Sequence, residues 1–263
     1  MKIIKKLYKY LLCINILISA LKISLKGDLI LGLFDKFSAN KIISPSKRRE
    51  KNNKFIKSMG ISCLEELPLT ESSNEIKLKD IDSICKRSIA CLLSIQLACD
   101  ICGEANVEES KSVILSLLDK FQVSDALLDI EIRLISDDYS KQDAIDVAWT
   151  YECYWSLIWA LGLIDDNDIK IPSDVCDCNK AIDTVASCKD YDEFKSKVKI
   201  RNIEDILDML DLYYRYHWAC VDKSINPKNN IGSLNPEVVM ERRKGLEWLV
   251  SKADDWNDIS LDT

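Results

Sequence analysis

Apolar and small side chains recur at Ile81, Cys85, Ser88, Leu92, Ile95, Cys99 and Cys102, in alternating steps of four and three that place one buried seam on a helix. Asp80, just before it, has the side chain and position of an N-cap. A different pattern holds over WTYECYWSLIWALG, residues 149–162, which is apolar nearly all round and predicts a central, enclosed helix ending on Gly162 as its C-terminal cap. Glu152 is the sole charge in that run. An unpaired buried charge costs several kcal/mol, so this carboxylate needs a cation. Arg215 and Arg242 are the candidates, with Arg215 the expected partner. A buried structural pair is the simpler reading, and a catalytic acid the alternative.

A third pattern runs through RNIEDILDMLDLYYRYHWACVD, residues 201–222, where Ile203, Leu207, Leu210, Tyr214, Trp218 and Val221 form a core-facing stripe. At about 100° per residue, Glu204, Asp208, Asp211, Arg215 and Asp222 fall in a narrow sector beside it. Asp211 and Arg215 have the spacing of an i,i+4 ion pair. His217, the only histidine, lies on the other flank and reads first as a hydrogen-bonded structural residue. Helices are also expected near 47–59, 109–120, 141–163, 190–197 and 236–252, and Glu75 to Leu78 as one short extended piece. The fold class is all-α: a single multi-helix globular domain.

Composition supports this reading. Glycine and proline number only 7 and 5 in 263 residues, which leaves room for long helices. A net charge of −7 argues against nucleic acid as a partner, because such proteins gather lysine and arginine to neutralise phosphates. Residues 1–25 are the exception to the acidic balance: Lys2, Lys5, Lys6 and Lys9 precede an uncharged run from Tyr10 to Leu21. As a helix that run reaches about 18 Å, short of a ~30 Å hydrocarbon core. A cleaved export signal, a peripheral membrane contact and a helix packed on the domain all fit it. The expected division is 1–45, an apolar N-terminal helix and linker, and 46–263, the helical domain. Residues 44–54, SPSKRREKNNK, are expected as a basic, solvated hinge.

Eleven cysteines raise the question of metal or disulfide chemistry. Three lie on the seam from Ile81, where a free thiol behaves as a small hydrophobe. Cys176, Cys178 and Cys188, in a loop-like stretch after Pro172, have no standard zinc spacing. Reduced thiols in the cytoplasm are expected, with no metal site and no cofactor.

The run WTYECYWSLIWALG, then ILDMLDLYYRYHWACVD, VVMERRKGLEWL and DWNDISLDT, in this order, resembles the family called domain of unknown function 4272, over roughly residues 47–263. From that pattern arginine would be expected where Thr150 stands, and aspartate where Asn257 stands. The resemblance implies a shared helical domain without a mechanism, and directs attention to Glu152, Arg201, Asp208, Asp211, Arg215, His217, Asp222, Glu241, Arg242 and Asp262. With Glu204, these either knit helices together or converge on a pocket. A phosphate-binding glycine loop, an HExxH pair and a nucleophile elbow are missing from the sequence, which favours a non-catalytic interaction or regulatory domain with a protein or small-molecule partner. The alternative is a hydrolase or transferase whose Glu204, Asp208 and Asp211 hold a divalent cation while His217 or Glu152 moves a proton.

Overall fold

The computed structural model describes residues 42–103 and 105–263, and no strand occurs among them. The expected N-terminal helix and its membrane contact lie outside the described residues. The helices are α1 (Pro45–Ser58), α2 (Ile81–Gly103), α3 (Val107–Phe121), α4 (Asp129–Ile135), α5 (Lys141–Trp149), α6 (Tyr151–Ala160), α7 (Asp166–Ile169), α8 (Cys178–Ala186), α9 (Tyr191–Lys197), α10 (Ile203–Ile225) and α11 (Pro236–Val250). Short 3₁₀ turns follow at Ser124–Ala126 and Trp256–Asp258. The all-α expectation holds.

Local chemistry explains most of the boundaries. Asn106, Asp177, Asp190, Asn202 and Asn235 each accept a backbone N–H at the start of α3, α8, α9, α10 and α11. Ser140 and Asp143 form a reciprocal capping box on α5. Asp80 accepts from Ser83 N at 3.2 Å, as its position suggests.

Packing makes a chain of neighbours: α1 lies on α10, α10 on α11, α11 on α6, α6 on α2, and α2 on α3 and α5. From Ile84 to Ala98, α2 is buried at every position but Lys86, so it is enclosed all round where its pattern suggested a single seam. That seam frays at its ends, with Ile81 exposed and Cys99 and Cys102 half-buried. α6 is buried at every position, as predicted. Gly245 lets α11 come close to it, since a Cβ there would stand 2.7 Å from the Cys153 carbonyl oxygen.

Several expectations need correction. The run 141–163 is two helices, broken where the Thr150 hydroxyl bonds back to Val147 O at 2.6 Å. Gly162 nevertheless has the left-handed φ of +73° expected of a C-terminal cap. Residues 76–80 are irregular and no strand forms over Glu75 to Leu78. The loop-like cysteine stretch contains α8, started by Asp177 and aligned by its own apolar face. Finally, the basic run is not a solvated hinge: it lies in the helix expected near 47–59 and is docked, with Arg48 fully buried and Asn52 nearly so.

Candidate functional site

The acidic edge of α10 meets the basic helix α1. Arg48 donates to Glu204 at 3.0 Å, and the Ser73 hydroxyl donates to the same carboxylate. Lys51 sits 2.6 Å from Asp208, while Asn52 donates to Asp208 O at 3.0 Å and to Asp211 at 2.8 Å. Asp211 also takes two bonds from Arg215, at 2.9 and 2.7 Å, and both side chains are fully enclosed. Asp222 is held by Asn226 at 2.7 Å and by Asn229. The stripe is therefore a docking strip. Glu204, Asp208 and Asp211 are separately neutralised, Asp222 is held by neutral amides, and no group of three or more potential ligands placed for a metal occurs among the described residues. Glu204, Asp208 and Asp211, the carboxylates expected to hold a cation, thus each answer to a different basic side chain on α1 or α10.

Glu152 is buried and paired, but with Arg242 where Arg215 was expected. Arg242 Nε lies 2.7 Å from its carboxylate, and the backbone N–H of Cys176 donates at the same distance. Arg242 further donates to Tyr213 Oη at 3.4 Å and to Asp174 O at 3.3 Å, which ties α6, α10, α11 and the loop before α8 together. The physical reason is register. Arg215 closes on Asp211 within its own helix, whereas α11 crosses against α6 and carries Arg242 to the carboxylate.

Arg201, Asp262 and His217 are also engaged within the fold. Arg201 donates to Trp159 O at 2.8 Å and Ile164 O at 3.0 Å and lies over the Trp159 ring, satisfying carbonyls at the end of α6. Arg243 reaches Leu261 O at 3.3 Å and Asp262 O at 3.1 Å, so Asp262 contributes its backbone. His217 Nδ1 faces Arg243 Nη1 at 2.8 Å. Burial, reinforced by the Arg243 charge, pushes the imidazole down to about 4. It is a neutral acceptor near pH 7. A pair that sequence reasoning missed, Arg87 with Glu131 at 2.5 Å, joins α2 to α4 in full enclosure.

A cleft of about 800 Å³ is walled by α4, α5 with Thr150, α11 and the Trp256–Asp258 turn. Its two cations are neutralised locally. Arg133 lies 2.9 Å from Asp143, and Lys244 clasps the buried Glu241 at 2.8 and 2.9 Å. The Cys153 thiol stands behind, 3.3 Å from Glu241 Oε2. Burial lifts that thiol well above the usual cysteine range, with Glu241 adding to the effect, so it is an inert neutral donor. Around these stand Asp129, Asp146, Glu237 and Asp255, with apolar surface from Ile130, the half-buried Trp149 and the exposed Met240. Asp129 and Glu237 are solvent-facing and make no ion pair with another described residue. Of the polar site candidates named from the sequence only Glu241 lines the cleft. Asp129, Ile130 and Asp146 lie outside the runs that carried the resemblance, and nothing in their spacing marks them.

The sequence pattern described as Domain of unknown function (DUF4272) matches residues 48–259. The chain belongs to this family. No curated protein and no solved structure matches it. Every wall of the cleft falls within the DUF4272 match, and the two positions that depart from the family resemblance, Thr150 and Asn257, both line it.

Proposed function

We propose that this DUF4272 chain is a non-catalytic interaction domain whose working surface is the cleft between α4, α5 and α11, and that the cleft takes a cationic, partly apolar segment of a partner. One observation carries the reading. Arg133 and Lys244 are neutralised by Asp143 and Glu241, so the remaining carboxylates give the opening a negative field around Trp149 and Met240. A lysine or arginine over the tryptophan face gains roughly 0.5–1 kcal/mol at an exposed site, and more once desolvated. The flanking carboxylates steer approach and select sign. Glu152 and His217 lie away from the cleft lining and are engaged with Arg242 and Arg243, which leaves neither free to move a substrate's proton.

The test is calorimetric titration of the full chain with a lysine–leucine peptide and, separately, with Mg²⁺. The peptide should bind saturably, and Asp129→Lys with Glu237→Lys should weaken it at least about tenfold, the equivalent of 1.4 kcal/mol. Equal binding to both proteins would overturn the reading. A saturable Mg²⁺ site lost in Asp208→Asn would restore the metal alternative.

We also propose a reducing, cytoplasmic location. Its support is the use of Cys85, Cys91 and Cys153 as buried packing on α2 and α6. Among the described residues no helix is long and apolar enough to cross a membrane.

A further inference from the structure

The described domain and the segment that precedes it are of opposite character. The chain as a whole has a net charge of −7, yet residues 1–25 contain five lysines and no acid. Within them Lys5–Tyr10, KLYKY after the first lysine, sets Lys5, Lys6 and Lys9 among Leu7, Tyr8 and Tyr10. The cleft offers the complement: Asp129 and Glu237 free of ion pairs with described residues, Asp146 and Asp255 beside them, and apolar surface from Trp149, Ile130 and Met240. At about 800 Å³ it lies in the ~300–1,000 Å³ range of pockets that hold a drug-sized ligand, space enough for a few side chains of a short segment.

Reach is not limiting. Residues 11–44 separate Lys5–Tyr10 from the first turn of α1, and an extended chain of that length covers up to about 110 Å at ~3.3 Å per residue. A domain of this size has a radius of gyration of roughly 17 Å, so any point on its surface is accessible to the tether. Held on such a tether, a weak contact is favoured by an effective concentration in the millimolar range.

We infer that the Lys5–Tyr10 portion of this chain's own N-terminal segment docks in the cleft between α4, α5 and α11 and competes there with the cationic partner. The inference rests on the interaction reading of the cleft proposed above. Docking places the lysines against Asp129 and Glu237 and the tyrosines and leucine on Trp149 and Met240. A partner then has to displace the segment. If the cleft is free about one-tenth of the time, apparent affinity for an added peptide falls about tenfold.

The experiment uses the full-length chain and a zero-length carbodiimide, which joins a carboxylate to a lysine in direct contact. Peptide mapping of the product at monomer mass should find Lys5, Lys6 or Lys9 linked to Asp129 or Glu237. The Lys5→Glu, Lys6→Glu, Lys9→Glu triple variant should lose those links and bind the lysine–leucine peptide about tenfold tighter than wild type. Links that map elsewhere, that occur only in a dimer, or that are missing would overturn the inference, as would an intact mass showing the segment removed. The failure modes separate. Equal peptide affinity in wild type and triple variant, lost in Asp129→Lys with Glu237→Lys, sinks the docking but leaves the cleft as a binding site; no binding to any of them sinks both. Phosphatidylserine vesicles supply the last arm: cleft charge reversal should free the segment and raise vesicle binding. Vesicle binding that is strong in wild type and unchanged by the reversal assigns the segment to a membrane and overturns the proposal.

Discussion

At the scale of single residues, the Glu152–Arg242 pair is the place where one substitution should cost most. Both side chains are about 2% exposed, and the carboxylate also holds the Cys176 N–H, so its loss strands an arginine and a backbone donor together. Glu152→Gln should destabilise the fold by about 3 kcal/mol in urea unfolding, because it leaves a buried cation uncompensated. Adding Arg242→Met should recover part of the loss; a single-variant cost under about 1 kcal/mol would mean the pair is solvated. His217 gives a pH prediction with a definite sign. Its folded pKa, about 4, is below the ordinary value near 6.5, so the unfolded chain binds the proton more readily. The imidazole's contribution is therefore complete above pH ~6.5 and is lost as pH falls toward 4. Wild type should lose more stability between pH 7 and 4 than His217→Gln; parallel curves would refute the assignment. The sequence singled out both residues. It named the wrong cation for Glu152 because Arg215 has a partner four residues away on its own helix, and helix crossing, which brings Arg242, leaves no trace in spacing.

At the scale of elements, α1 stands apart because polar groups dominate its contact with α10. Among its residues Ile56 is the one apolar side chain fully buried, beside Arg48, Asn52 and Asn53. Such an interface depends on Arg48–Glu204, Lys51–Asp208 and the Asn52 bonds, with little hydrophobic area beneath. Lys51 is largely exposed and its pair is screened as the Debye length falls from about 10 Å at 0.1 M salt to about 3 Å at 1 M. Amide hydrogen exchange over residues 45–58 should therefore be faster than over α2 and accelerate further at 1 M salt. Protection equal to that of α2, and insensitive to salt, would rule out an electrostatic strap. The sequence contained both halves of this contact, a basic run and an acidic stripe, and each alone reads as a solvated face. Only their juxtaposition across more than 150 residues makes them one interface.

At the scale of the whole molecule, Cys85 and Cys91 on α2, Cys153 on α6 and Cys220 on α10 sit within the core. Titration of the protein denatured without reductant should recover nearly all eleven thiols. Recovery of one or two would mean a disulfide framework and an oxidising compartment. The all-α class, the enclosed helix around Glu152, the Gly162 cap and the Asp211–Arg215 pair could each be read from the sequence, because each depends on residues within a few turns of one another; the family resemblance was legible from the order of its contiguous runs. Local periodicity, capping chemistry and i,i+4 spacing are local physics. The docking of α1, the choice of Arg242 and the cleft were decided only by tertiary structure. They depend on which helices cross and at what separation, and the cleft walls come from segments over a hundred residues apart, so no stretch of the chain carries their signature.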